Sequence, residues 1–337
     1  MRPIQRDRLS KAQLQQEPAR YEKMPYRRCG ASGLKLPALA LGAWETFGGY
    51  RGPEIARECI FRAFNLGINH FDLANNYGQP PGRAETTVGR VLRELPRDEL
   101  IVSTKAGFPM WDGPHGQGSS RKHLLASIDQ SLKRLEVDYV DIFYSHRFDA
   151  DVPLEETLGA LDQIVRSGKA LYVALSNYPT EKLADAISLA QKMNVAPIIA
   201  HQSFYNLLYR DVEKTMLPLA TEKGVGVIAF SPLAQGLLST KYADGVPEES
   251  RAAKLWDDKQ RALLTSEIRE KTRKLNEIAK RRGQTLPQMA LAWILRRKEI
   301  TSVLFGASEV DQVEENVKAL EKLDFTADEL KQIDDAR

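Results

Sequence analysis

From Leu36 onward, short apolar runs rich in β-branched residues alternate with longer segments whose apolar positions follow a helical period. That alternation is the signature of repeated βα units. Eight runs read as strands: 36–41, 68–71, 100–104, 139–144, 170–175, 198–202, 224–230 and 301–305. Between them, 53–66, 84–94, 121–135, 154–167, 180–193 and 212–223 read as helices, several opened by Pro, Ser or Thr and closed by Gly. Eight such repeats predict an α/β chain closed into a (β/α)8 TIM barrel. A doubly wound dinucleotide-binding sheet would need G-x-G-x-x-G after a strand, and no run is followed by one. Gly30 and Gly33 precede the first full strand and suit a hairpin turn.

The longest interval, 231–300, separates the last two strands; it holds a Gly/Pro/Ser-rich loop and then helical patterns at 265–282 and 286–296. It reads as an insertion over one face of the barrel. Residues 1–24 carry Arg2, Arg6, Arg8, Lys11 and Arg20 among Gln and Ser. They read as a polar arm ahead of a single barrel domain, 25–337.

In such a barrel the loops leaving the carboxyl ends of the strands build the active site. Reading those ends gives Asp72 and Tyr77 after the second run, Lys105 after the third and His146 after the fourth. Each has an ordinary reading alone: a turn cap, a half-buried phenol, a solvated edge charge, a satisfied core histidine. Four at one mouth form an acid–base site. Lys105 beside Tyr77 would lower the phenol pKa, Asp72 would keep Lys105 charged, and His146 could hydrogen-bond a carbonyl oxygen. A phenol that protonates an oxygen calls for a source of electrons, and hydride from a nicotinamide is the natural complement.

Composition narrows the alternatives without adding a site. Hydrophobic residues make up 42% and charged residues 28%, ordinary for a chain with a large core. A net charge of +3 is too mild to argue for nucleic acid or a membrane surface. No apolar run reaches the roughly 18 residues a membrane span requires. Cys29 and Cys59, the only cysteines, have neither metal nor disulfide spacing, so a cytoplasmic location and no metal are expected.

Several motifs make the picture specific: F-D-x-A-x-x-Y-G at 71–78, S-T-K at 103–105, Y-S-H-R at 144–147, L-S-N at 175–177 and G-A-S…Q-x-E-E-N at 306–316. In this order they resemble the aldo-keto reductase superfamily. Two branches are similar, one reducing glyceraldehyde 3-phosphate and the other comprising beta subunits of voltage-gated potassium channels. The resemblance implies Tyr77 as general acid, tuned by Lys105 and Asp72, with His146 placing the carbonyl. It implies that Ser176, Asn177 and Gln202 hold the nicotinamide amide, with Asp72 and Trp44 beside it and Phe230 stacked on the ring. Ser231, Pro232, Leu233, Ala234 and Gln235 would cover the pyrophosphate, with Lys241 and Arg251 near the phosphates. Gly306, Ser308, Gln312, Glu315 and Asn316 would grip the adenosine side, close to a helix opening at about Glu309. The implied cofactor is NADPH, although no arginine stands directly beside Ser308 to read its 2′-phosphate.

The substrate would be a small aldehyde, glyceraldehyde 3-phosphate or methylglyoxal, bound by Trp44, Tyr77, Trp111, His146 and Arg147, with Arg121 a further cation for a phosphate. The relatives form tetramers or larger rings, so a homo-oligomer is expected, with no nucleic-acid or membrane partner. The rival reading is an NADPH-binding regulatory subunit of the channel type with slow turnover. His146 argues against it, because the channel subunits carry Asn there. A barrel aldolase using Lys105 as a Schiff base is opposed by the adjacent carboxylate, which keeps an ammonium poorly nucleophilic.

Overall fold

The computed structural model describes residues 18–242, 245–248 and 250–337; residues 1–17, most of the expected arm, lie outside the described residues. Strands β1 (Tyr26–Arg28) and β2 (Lys35–Pro37) pair antiparallel as a hairpin. Gly30 turns it at φ 56°. A side chain there would meet the Gly224 carbonyl oxygen at 2.1 Å, so only glycine lets the hairpin press on the chain leading into the barrel's seventh strand.

Eight parallel strands close the barrel: β3 (Leu39–Gly42), β4 (His70–Asp72), β5 (Ile101–Ala106), β6 (Val140–Ser145), β7 (Ala170–Ser176), β8 (Ile198–Phe204), β9 (Gly226–Phe230) and β10 (Ile300–Phe305). The ring is sealed where β10 pairs with both β3 and β9. Every position of β5, β6 and β10 is buried, as expected for parallel strands covered on both faces. Alternate strand positions feed two cores. One includes Leu39, Val102 and Phe143 and packs under the helices; the other includes Ala40, Ile142, Ala174 and Ile228 and packs with Leu36 of the hairpin.

The helices are α1 (Pro53–Asn65), α2 (Arg83–Leu92), α3 (Arg121–Leu135), α4 (Leu154–Arg166), α5 (Thr180–Met193), α6 (Met216–Lys223), α7 (Arg251–Lys254), α8 (Asp258–Arg261), α9 (Ser266–Arg281), α10 (Leu286–Leu295), α11 (Val310–Val317) and α12 (Ala327–Ala336). Their ends follow local chemistry. The Ser120 side chain accepts from His123 N at the start of α3, and Gly224 in the left-handed region closes α6. Segment 231–300 supplies α7 to α10. Thr285 and Gln288 form a capping box on α10, and Thr272 donates to the Leu237 carbonyl at 3.0 Å, tying α9 to the loop after β9.

Three boundaries depart from the sequence pattern. The run 36–41 is split at Ala38, whose N still bonds the Pro25 carbonyl of the hairpin while its own carbonyl accepts from Val303 N of the barrel, so the chain crosses there from β2 into β3. The run 68–71 starts late and ends at Asp72, following Gly67 at φ 85°. The helix expected over 212–223 begins only at Met216, since Asp211–Glu213 forms a separate single turn.

Candidate active site

Strand register assembles the floor of the site. Asp72, last in β4, pairs directly with Ser103 in β5, and Lys105 lies two residues further on the same face. Lys105 Nζ donates to Asp72 Oδ2 and, at 2.6 Å, to the Leu73 carbonyl. Asp72 Oδ1 accepts from Ser103 Oγ at 2.7 Å and from Gln202 Nε2 at 3.1 Å. Both carboxylate oxygens are therefore bonded, as a buried charge requires.

Tyr77 stands on the turn that follows. Its backbone is held by Tyr77 N to the Ala74 carbonyl and by Ala84 N to its own carbonyl, both at 3.1 Å. The first loop leans on this turn: a Cβ at Gly48 would meet Gly78 Cα at 2.3 Å, a closeness only two glycines permit. Lys105 Nζ lies 5.2 Å from the Tyr77 ring centroid, the His146 ring 5.8 Å edge-on, and the Trp44 ring 6.4 Å away. Phe108 packs edge-on against the far side chain, His146, at 4.7 Å.

Burial, and then the Asp72 charge, push the Tyr77 phenol well above its ordinary range. That corrects the expectation that Lys105 lowers it. Lys105 bonds Asp72 and the Leu73 carbonyl, and its field at the phenol does not offset burial and the Asp72 charge. The consequence suits a proton donor, because Tyr77 keeps its hydrogen through neutral pH. Burial, with Lys105 and Arg147 adding to it, holds His146 well below its ordinary range, so its imidazole is neutral. Burial also lowers Lys105, opposed by Asp72.

A cavity of about 710 Å³ opens beside Tyr77. Its wall contains Trp44, Asp72, Tyr77, Gln202, Phe230, Ser231, Pro232, Leu233, Gln235, Lys241, Gly306, Ser308, Gln312, Glu315 and Asn316. These residues fit a dinucleotide. Phe230 offers a ring, Gly306 has nothing within 4 Å of where a side chain would project, and hydroxyl, amide and ammonium groups are spread along the wall. The loop after β9 turns sharply, with Ser231, Ala234 and Gln235 at φ 54°, 46° and 58°. Such conformations in non-glycine residues cluster where backbone groups serve a ligand. Among the described residues no group of three metal-type side chains could hold a metal ion.

Not every expected residue reaches that wall. Ser176 donates to the Gln202 carbonyl at 3.2 Å, and Asn177 donates to the His146 carbonyl at 3.0 Å, so both brace their neighbours beside the cavity. Ala234 is buried within its turn. Lys105 and His146 sit behind Tyr77. Trp111 stacks on His123 at 4.9 Å, and Arg147 donates to the Gly107 carbonyl and to Gln117, its guanidinium 4.9 Å over Phe108. Arg121 bonds Gln163 and the Gly159 carbonyl on α4. The side chain of Arg251 lies outside the described residues.

Other residues escaped the sequence reading. Asn276 and Lys280 line the cavity from α9 and Thr285 from the start of α10; their i,i+4 spacing and the capping box were the available signals. His70, whose Nε2 lies 2.9 Å from Ser103 Oγ, is a second omission. Its place two residues before Asp72, matching Ser103 before Lys105, could have revealed it.

Residues 38–337 match the Aldo/keto reductase family. The chain is 54% identical over 325 residues to the L-glyceraldehyde 3-phosphate reductase of Escherichia coli O157:H7, covering 94% of this chain and 93% of that one. It is 39% identical over 324 residues, 93% of each chain, to the putative voltage-gated potassium channel subunit beta of Schizosaccharomyces pombe (strain 972 / ATCC 24843). A closed eight-stranded barrel, the Tyr77–Lys105–Asp72–His146 cluster at its mouth and a match over nearly its whole length mean that the chain belongs to the aldo/keto reductase family.

Proposed function

We propose that the chain reduces small aldehydes to alcohols with NADPH, with glyceraldehyde 3-phosphate the leading substrate and methylglyoxal-like dicarbonyls next. The observation that carries this reading is the Tyr77 phenol in the wall of a cavity suited to a dinucleotide, with a buried ammonium 5.2 Å from its ring. Similarity at 54% identity to a protein named for glyceraldehyde 3-phosphate supports the substrate.

When bound, NADPH supplies a hydride to the carbonyl carbon. Tyr77 gives its phenolic proton to the carbonyl oxygen as charge builds there, so its O–H bond breaks as the product hydroxyl forms. Lys105 stabilises the phenolate left behind, and Asp72 keeps Lys105 charged and in place. His146, its ring neutral and edge-on to Tyr77 at 5.8 Å, helps place the carbonyl oxygen against the phenol. Trp44 and the turn carrying Tyr77 wall off water from one side. Lys241 meets phosphate oxygens.

The test is loss of NADPH absorbance with both enantiomers of glyceraldehyde 3-phosphate, methylglyoxal and unphosphorylated aldehydes. Tyr77→Phe should lower kcat by about 10²–10⁴-fold while NADPH still binds. Tight NADPH binding with negligible turnover of every aldehyde would overturn the reading in favour of an interaction module. The further expectation of a cytoplasmic homo-oligomer, four copies or more, draws support from two unpaired buried thiols at Cys29 and Cys59 for the reducing compartment only. Light scattering of the purified chain gives the copy number.

A further inference from the structure

We propose that Ser103, fixed by His70, positions the catalytic carboxylate, deciding which oxygen of Asp72 faces Lys105. The inference rests on the reductase reading above and deepens it. Ser103 Oγ has one hydrogen, and it goes to Asp72 Oδ1 at 2.7 Å. The 2.9 Å contact with His70 Nε2 must then be a donation from the imidazole to the hydroxyl oxygen. His70 Nδ1, buried without a protein partner, is left as the ring's bare acceptor. The result is a directional chain, His70 to Ser103 to Asp72, that locks a hydroxyl which would otherwise rotate.

Its effect falls on the ion pair. A carboxylate's terminal torsion is soft, and Gln202 alone would hold Oδ1 at 3.1 Å. With Ser103 in place the plane of the carboxylate is pinned from the floor of the barrel, so Oδ2 stays on Lys105 and Lys105 stays under Tyr77. His70, Asp72 and Ser103 are 0%, 3% and 0% exposed, so bulk water does not substitute for the hydroxyl. The titratable groups facing Asp72 are His70 on its own strand, Lys105 on β5, Tyr77 on the turn after β4 and Tyr144 on β6. Among them, His70 acts through Ser103.

The test compares Ser103→Ala, Ser103→Thr, His70→Leu and His70→Gln in the full chain. For each, NADPH affinity by fluorescence, kcat and KM for glyceraldehyde 3-phosphate across pH, and the melting temperature would be measured. Ser103→Ala should lower kcat about ten-fold and move the acid limb of kcat up by about one pH unit, because a hydrogen bond to the charged carboxylate is gone. KM and NADPH affinity should stay where they are. His70→Leu should shift the same limb by less. His70→Gln, whose amide N–H reaches about as far as Nε2, and Ser103→Thr, which keeps a hydroxyl, should restore it.

A lower melting temperature with an unmoved acid limb would mean a purely structural role and would overturn the proposal. So would a Ser103→Ala enzyme that matches the wild type. If Ser103→Ala does not fold, the His70→Leu and His70→Gln pair decides by the same readout. A wild-type chain that binds NADPH and reduces no aldehyde would remove the reductase reading and this inference with it; an active wild type with an indifferent Ser103 removes the inference alone.

Discussion

Asp72 and Lys105 are 3% and 0% exposed and bond each other across neighbouring strands, whereas Trp44 is 38% exposed and Ser308 finds its partner in Gln312 four residues away. The floor of the site is long-range and dry. The rim is local and wet. On the floor, register does the positioning: once β4 and β5 pair, Asp72, Ser103 and Lys105 have nowhere else to go. On the rim, backbone strain does it. The positive φ values at Ser231, Ala234 and Gln235 cost roughly 1–2 kcal/mol each, and Asn206 holds that turn through the Ser231 carbonyl at 3.1 Å. The floor is therefore set by folding, and the rim is where contacts can be exchanged for a ligand.

The largest consequence lies in what happens when one charge is removed from each region. Lys105→Met leaves the Asp72 carboxylate buried without its cation and should destabilise the fold by about 3–5 kcal/mol in urea titrations. Adding Asp72→Asn should recover much of that loss, because the uncompensated charge is gone. Lys241→Met on the exposed rim should move stability by about 0.5 kcal/mol or less. Equal losses at the two positions would break the distinction between floor and rim.

A second consequence concerns pH. Burial lowers His70 and His201 from 6.5 to about 4 and holds His146 below its ordinary range as well. A histidine kept neutral in the fold binds fewer protons than in the unfolded chain once the pH drops below 6.5. Stability therefore falls as pH is lowered from about 6.5 toward 4, each group contributing on the order of 1–3 kcal/mol. Melting temperatures across that window should drop steadily, and His70→Gln should flatten the drop. A curve that stays level would mean these rings are not buried as neutral groups.

The same division governs what the sequence could reveal. Strand periods and the residues after each strand point to the barrel and to Asp72, Tyr77, Lys105 and His146, because a side chain at a strand end is placed by a rule of period two. The direction of the Tyr77 shift was not readable, since it depends first on how deeply the fold buries the phenol and then on how close it brings the Asp72 charge. Nor was the orientation of loop residues. Trp111 and Arg147 follow the right strands, yet their side chains turn to His123 and to Gly107 and Gln117, contacts fixed by loop conformation. Lys280 reaches the cavity from a helix far along the chain; its i,i+4 spacing from Asn276 puts the two on one face of α9 but does not say that this face meets the cavity.

Arg147 offers the smallest and finest probe of the comparison. Its Nε and Nη2 already serve the Gly107 carbonyl at 3.1 Å and Gln117 at 3.0 Å. A guanidinium so engaged, half-buried and stacked on Phe108, braces the loop that carries Phe108 against His146. Arg147→Ala should therefore cost about 1 kcal/mol or less in kcat/KM, a change of under ten-fold. That cost should be the same for glyceraldehyde 3-phosphate and for unphosphorylated glyceraldehyde, because a loop brace does not distinguish them. A selective loss with the phosphorylated aldehyde would show that Arg147 gives up its loop bonds to take the phosphate, and would move it from scaffold to substrate contact.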